Sequence, residues 1–266
     1  MNHRQPRAMH PAMRPCLRHI KSIVAQAFVG ISLLSTLSTD VRAEAAKRLD
    51  VLELFTSQGC SSCPPADALL GKLSKADNVL ALTFPVNYWD HLGWRDTLAK
   101  EAFTKRQYAY AHIRGDRQIY TPQLVVNGMT HVVGSQQPEI EAARKSTATA
   151  LEPIAVPMTI NERGGKFQIE TGAAPQGSKQ RSGKIWAVFY KSSVVVEIGR
   201  GENNGRNVTY TNVVRNLSPA GIWSGEPASV SLDIPTESNF DGIAALLQAD
   251  DSGAMLGVAT IAFPSQ

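Results

Sequence analysis

The cysteine pair Cys60 and Cys63 lies between an apolar strand and a helix, in the order Cys-Ser-Ser-Cys. Residues 49–56 are apolar with few interruptions, which is typical of a strand covered on both faces of its sheet. Two consecutive prolines follow Cys63, and proline is favoured in the first turn of a helix, where its missing N–H would be unpaired anyway. This segment predicts a central strand that leads into a helix through the cysteine pair.

The chain divides into two regions of different pattern. Strand-like and helix-like stretches alternate over residues 49–151, and Asp96 is a suitable N-cap for a helix that continues to about His112. From Glu152 onward, short β-rich runs are separated by turn residues, which is typical of a sandwich or of a sheet added to the first domain. We predict an α/β domain over residues 44–152 and a β-rich, sandwich-like C-terminal domain over residues 153–266.

The first 43 residues have the composition of an export signal. They hold six basic residues and one acidic residue, so the remainder has 21 basic and 22 acidic residues and a net charge of −1. The apolar run over residues 23–37 is shorter than the ~20 residues of a membrane-spanning helix. We predict a cleaved signal peptide at residues 1–43, a periplasmic or secreted protein, no membrane attachment after cleavage, and no nucleic-acid partner.

Signal cleavage leaves two of the three cysteines, because Cys16 lies within the leader. In an oxidising compartment such a pair is either a fixed disulfide or a dithiol that cycles. A structural zinc site requires four Cys or His ligands, and the body of the chain has only His91, His112 and His131 beside the pair. We predict no metal and no cofactor, and we keep a copper or zinc metallochaperone using Cys60, Cys63 and His91 as an alternative.

The position of the pair ahead of a helix indicates thiol–disulfide exchange. Exchange needs a thiolate and a second cysteine that resolves the mixed disulfide. The positive end of the helix dipole lowers the pKa of Cys60, so we assign Cys60 as nucleophile and Cys63 as resolving thiol. The partner would be a protein or a small-molecule thiol or disulfide. A structural disulfide in a non-catalytic binding module is the other alternative, although so short a loop constrains the unfolded chain little.

Later residues complete a pattern that resembles the thioredoxin superfamily. Thr121-Pro122 precedes an apolar run, and Asn127-Gly128 is a strong signal for a tight hairpin. The resemblance implies that Pro122 is cis and lies beside the cysteines, with Thr121 in the segment that binds substrate. It also draws attention to Glu53, close to where thioredoxins bury a carboxylate that moves the proton of the resolving thiol. Glu53 would have a raised pKa if buried, or it faces solvent.

Two longer stretches resemble a narrower family. Residues 55–67 (FTSQGCSSCPPAD) and 87–96 (NYWDHLGWRD) are similar to secreted bacterial thioredoxin-like proteins classed as a domain of unknown function. Trp89, His91 and Trp94 of the second stretch would line the cysteine site and contact a substrate, or they belong to a packed loop. The sequence thus predicts an exported thioredoxin-like thiol–disulfide oxidoreductase.

Overall fold

An eight-stranded sheet forms the centre of the protein in the computed structural model, which describes residues 48–235 and 240–263. These residues belong to one compact unit. The predicted signal peptide at residues 1–43 lies outside the described residues. Within the part of the chain that is described, no helix has the length and hydrophobicity needed to cross a membrane.

Three α-helices and eleven strands follow one another along the described chain. The helices are α1 (Pro64–Leu73), α2 (Glu101–Arg114) and α3 (Gln137–Leu151). The first strands are β1 (Asp50–Thr56), β2 (Val79–Pro85), β3 (Gln123–Val126), β4 (Thr130–Val133), β5 (Met158–Arg163) and β6 (Lys166–Thr171). The last are β7 (Gly183–Ile198), β8 (Arg206–Trp223), β9 (Ala228–Asp233), β10 (Gly242–Ala249) and β11 (Met255–Ala262).

The strand order of the large sheet is β11-β10-β7-β8-β2-β1-β3-β4, and β5-β6-β9 form a second, smaller sheet. β1 pairs with β2 in parallel and with β3 in antiparallel orientation, and all seven of its residues are buried. This arrangement confirms the predicted central strand. The structure also confirms the helix that starts at Pro64 and the hairpin at Asn127-Gly128, which joins β3 to β4.

The strands on either side of the predicted boundary near residue 153 share the large sheet. β8 lies next to β2, with Val213 opposite Thr83, and Asn212 Nδ2 donates a hydrogen bond to the carbonyl of Ala81 at 2.9 Å. The smaller sheet packs its apolar residues against β7 and β10, so this part of the molecule has two sheet layers. The sheet thus continues from the α/β pattern into the β-rich pattern without a break.

The two faces of β1 contact different helices. Leu52 and Leu54 belong to the apolar cluster that includes α1, whereas Val51 and Phe55 belong to the cluster that includes α2. Alternate residues of a strand point to opposite faces, so Glu53 lies on the α2 face. Burying each Leu or Phe side chain contributes about 1.5–3 kcal/mol, which holds both helices against β1. This division between faces determines which side chains are near the cysteines.

Candidate functional site

Cys60 and Cys63 form a disulfide at the start of α1, with their Cα atoms 5.4 Å apart. Cys63 is the N-cap residue, and its carbonyl accepts hydrogen bonds from the backbone N–H groups of Ala66 and Asp67 at 2.9 and 3.1 Å. The first two helical residues are prolines, which carry no N–H. The helix therefore presents its dipole toward the cysteines, without the free N–H groups that a helix start usually offers.

Both cysteines are covered. Cys60 is 1% exposed and Cys63 is 0% exposed, although Ser61 and Ser62 between them are exposed. The Cys60 Sγ atom lies 3.4 Å from the Ser62 hydroxyl oxygen. A thiolate formed at Cys60 would thus have a hydroxyl donor within reach.

Residues 87–96, the aromatic segment, hold the turn before the cysteines through hydrogen bonds to Gln58. Gln58 N donates to Asp96 Oδ2 at 2.8 Å, and Gln58 Oε1 accepts from Trp94 Nε1 at 2.8 Å. Burial raises the pKa of Asp96, although backbone N–H groups of Gln58, Leu98 and Ala99 donate to its carboxylate and oppose the rise. Asp96 caps a turn here, through the N–H groups of Leu98 and Ala99, and α2 begins four residues later than the sequence predicted, with Lys100 as its N-cap residue.

The Thr121–Pro122 peptide bond is cis, as the resemblance implies. The Trp89 indole N–H donates to Thr121 Oγ1 at 2.8 Å, and a Cβ atom on Gly59 would lie 3.1 Å from Trp89 Cβ. Trp89 therefore connects the turn before the cysteines to the cis-proline segment.

Pro122 also approaches α1. A Cβ atom on Gly134 would lie 3.1 Å from Ala66 Cβ and 3.5 Å from Pro122 Cβ, so Pro122 and Ala66 both lie close to Gly134. Four of the sequence-predicted residues, Trp89, Trp94, Thr121 and Pro122, thus lie around the start of α1, whereas His91 lies exposed in a short 3-10 turn, Asp90–Leu92.

Glu53 is buried on the far face of β1 from α1. Its Oε1 atom accepts from Arg106 Nε at 2.7 Å, and its Oε2 atom accepts from the Tyr110 hydroxyl. Arg106 and Tyr110 belong to α2, so both carboxylate oxygens are used there. Glu53 therefore has a structural ion-pair partner and does not face the helix that carries the cysteines.

Asp67, in α1, is an acidic residue on the same side of β1 as the cysteines, and its pattern in the sequence did not mark it as a site residue. It is 3% exposed, and neither of its oxygens has a hydrogen-bond partner among the described residues. Burial raises the pKa of Asp67 to about 8, and the charge of Asp96 raises this pKa as well. The nearby Thr56 hydroxyl opposes the rise in part, although its contact with the carboxyl group lies outside hydrogen-bond geometry. The available signal was an acidic residue four positions after Cys63, on the face of the apolar stripe of α1.

Asn203 is a second residue that the sequence did not reveal. It lies in the connection between β7 and β8 and is 1% exposed. Its Nδ2 group donates to the carbonyls of Gln58 and Cys60 at 2.9 and 2.8 Å. No short motif marks this residue, because its contacts are made across more than 140 positions of the chain.

Two further features concern binding. Among the described residues, no group of three or more His, Cys, Asp or Glu side chains is placed to hold a metal ion.

A cavity of about 370 Å³ lies between α2 and the large sheet, with Tyr110, Ile113, Trp186 and Leu217 among its apolar walls. The residues that line this cavity come from α2, from β7, β8 and β10 and from Asp250 after β10, and the cysteines are not among them.

Comparison with known families identifies the chain. A family described as a protein of unknown function (DUF1223) matches residues 51–248. The chain belongs to this family. The match runs from β1 into β10, so it includes the cysteine pair, the aromatic segment and the β7–β8 hairpin of this DUF1223 protein.

Two solved structures are similar to this DUF1223 protein. An Agrobacterium tumefaciens protein solved by X-ray crystallography is 30% identical, with a TM-score of 0.71, and the alignment covers 82% of this chain and 96% of that one. HBP35 of Porphyromonas gingivalis is 11% identical with a TM-score of 0.54, covering 82% of this chain and 76% of that one, which is a likeness of fold alone. No curated protein matches the sequence.

Proposed function

We propose that this DUF1223 protein is an exported, thioredoxin-like thiol–disulfide oxidoreductase that acts through Cys60 and Cys63. The observation that carries the proposal is Asp67, a buried carboxyl group four residues after Cys63 on α1, whose oxygens have no hydrogen-bond partner among the described residues. Burying such a group costs several kcal/mol. A fixed disulfide needs no proton acceptor, whereas exchange requires one for the resolving thiol, so a role in exchange accounts for this cost.

The reaction has two steps. The Cys60 thiolate attacks a substrate disulfide, forms a mixed disulfide through its Sγ atom, and releases the first substrate sulfur as a thiolate. The ionised form of Asp67, which is the minor form at pH 7 because burial raises the pKa of this carboxyl group to about 8, then takes the proton of the Cys63 thiol. The Cys63 thiolate attacks Cys60 Sγ, so that the second substrate sulfur leaves as a thiolate. The substrate gains two electrons, and the protein ends with the Cys60–Cys63 disulfide. The reverse sequence oxidises a substrate dithiol.

The surroundings of the pair support this assignment of roles. Cys60 lies at the positive end of the α1 dipole, with the Ser62 hydroxyl 3.4 Å from its sulfur. The cis Pro122 segment lies near Ala66 of α1, and Trp89 bonds to Thr121 within that segment. A cleaved signal peptide would deliver the pair to a compartment in which disulfides persist.

A non-catalytic binding module remains the second candidate, because the disulfide is almost fully covered and the cavity of about 370 Å³ lies away from it. Measurement of the reduction potential separates the two functions. Equilibration of residues 44–266 with glutathione is expected to give a potential between about −270 and about −120 mV, as for pairs that cycle. A potential below about −300 mV would indicate a structural disulfide and would contradict the proposal.

A further inference from the structure

The connection between β7 and β8, residues 199–205 (the hairpin tip), reaches the cysteine pair from the β-rich half of the chain. A Cβ atom on Gly199 or on Gly201 would lie 3.3 Å from an atom of the Trp94 side chain, so both glycines lie close to that indole. Asn203 then bonds to the backbone on both sides of Gly59, through the carbonyls of Gln58 and Cys60. The hairpin tip is thus seated directly on the turn that carries Cys60.

Asn203 is the one buried residue in the stretch 199–207, where all its neighbours are exposed. Gly201 and Gly205 have φ values of 76°, which let the chain turn its Asn203 side chain inward. Gly205 N donates to the carbonyl of Ile198 at 2.7 Å, so the turn closes on itself at its base. Apart from Asn203, the hairpin tip therefore presents a polar, solvated surface.

Coverage of the disulfide conflicts with the chemistry of exchange. An attacking thiolate must reach a disulfide sulfur directly, and Cys60 is only 1% exposed in this conformation. A neighbouring segment must therefore move before exchange can occur. The aromatic segment around Trp89 and Trp94 is fixed by hydrogen bonds to Thr121 and Gln58 and lies beside the buried core, whereas the hairpin tip ends in solvent.

Asn203 makes two hydrogen bonds that hold the hairpin tip, but one of its own polar atoms is buried without a partner among the described residues. Its Nδ2 group makes two hydrogen bonds, but its Oδ1 atom is buried and has no partner among the described residues. An unsatisfied buried acceptor offsets much of what two hydrogen bonds contribute. Lifting the hairpin tip would let water bond to the Oδ1 atom and to both released carbonyls, so opening costs less than the loss of two hydrogen bonds alone.

We propose that the hairpin tip controls access to Cys60 and that Asn203 is the residue that holds it closed. In the closed state the disulfide is protected from small thiols, and a partner that displaces the hairpin tip gains access to the Cys60 sulfur. This inference rests on the proposed exchange function and adds its regulation. It also gives the β-rich half a role at the cysteine site.

The rate at which dithiothreitol reduces the Cys60–Cys63 disulfide tests the proposal on residues 44–266. Asn203→Leu keeps the branched shape of the side chain with a somewhat larger volume, and it removes both donors together with the unpaired Oδ1 atom. Reduction is expected to become about tenfold faster, which is less than the full loss of two hydrogen bonds would give. Asn203→Ser retains one hydroxyl donor and should give an intermediate rate. Asn204→Leu, in the exposed neighbour, is the matched control and should react like the wild type.

The equilibrium with glutathione distinguishes access from stabilisation of the disulfide. A change in access alters reduction and oxidation rates equally, so the equilibrium constant of Asn203→Leu should stay within about twofold of the wild type. An unchanged reduction rate, or a rate increase matched by the same change in the equilibrium constant, would overturn the proposal. A wild-type potential below about −300 mV would instead refute the exchange function, whatever the variants do.

Discussion

Replacement of Asp67 by asparagine is expected to flatten the pH dependence of stability and to slow disulfide exchange. The folded protein keeps the Asp67 proton up to a pH of about 8, because burial raises the pKa of the carboxyl group. The unfolded chain loses that proton near pH 4, so the stabilisation from the bound proton is complete below about pH 4. It then declines as the pH rises toward about 8 and stays lost above that value.

Urea unfolding of the oxidised protein at pH 4, 6 and 8 measures this effect. Asparagine does not ionise, so the stability of Asp67→Asn relative to the wild type should increase by about 5 kcal/mol between pH 4 and pH 8, at about 1.4 kcal/mol for each pH unit between the two pKa values. Asp233→Asn removes an exposed carboxylate and serves as the control, with little expected change. Parallel pH profiles for wild type and Asp67→Asn would show that the buried carboxyl group does not hold its proton.

The same variant should accumulate the mixed disulfide. Without its proton acceptor, Cys63 is expected to resolve the glutathione adduct of Cys60 about tenfold more slowly at pH 7, where about a tenth of Asp67 is ionised, while the attack by Cys60 is unchanged. Quenched-flow mass spectrometry would detect the adduct directly. Exchange with wild-type kinetics and no adduct would remove Asp67 from the mechanism and leave its burial without a functional reason.

Replacement of Arg106 by leucine is expected to destabilise the fold by about 3–5 kcal/mol, because it leaves the Glu53 charge buried without a partner. The two side chains are 5% and 0% exposed, with Arg106 Nε 2.7 Å from Glu53 Oε1. Thermal or urea unfolding measures the loss. Lys105→Leu removes the neighbouring cation of α2, whose pair with Glu101 is exposed, and should change stability by less than about 0.5 kcal/mol.

The double variant Glu53→Met with Arg106→Leu should recover most of the lost stability, since an apolar pair of similar volume replaces both charges. It should also exchange with glutathione at the wild-type rate, because Glu53 lies on the α2 face of β1. A slower resolving step in a folded Glu53→Gln variant would restore Glu53 as the proton carrier and contradict the assignment to Asp67.

Local features of the sequence determined the elements around the cysteines. The apolar run of β1, the two prolines at the start of α1 and the Asn127-Gly128 hairpin each follow from backbone sterics and side-chain periodicity within a few residues. The spacing of Cys60 and Cys63 is a local feature as well, and it was enough to predict that the two cysteines act as a pair. These features place Cys60 and Cys63 at a strand–helix junction without reference to the rest of the chain.

Only the tertiary structure determined which polar side chains lie close to the cysteine pair. Glu53 and Asp67 are both acidic residues within apolar patterns. Only the packing of α1 and α2 on opposite faces of β1 gives Glu53 an arginine and leaves Asp67 without a hydrogen bond in the part of the chain that is described. Asn203 reaches Cys60 because β8 pairs with β2 across more than 100 residues, which brings the β7–β8 hairpin to the cysteines. Burial and long-range pairing depend on the whole chain, so no local pattern of residues contains them.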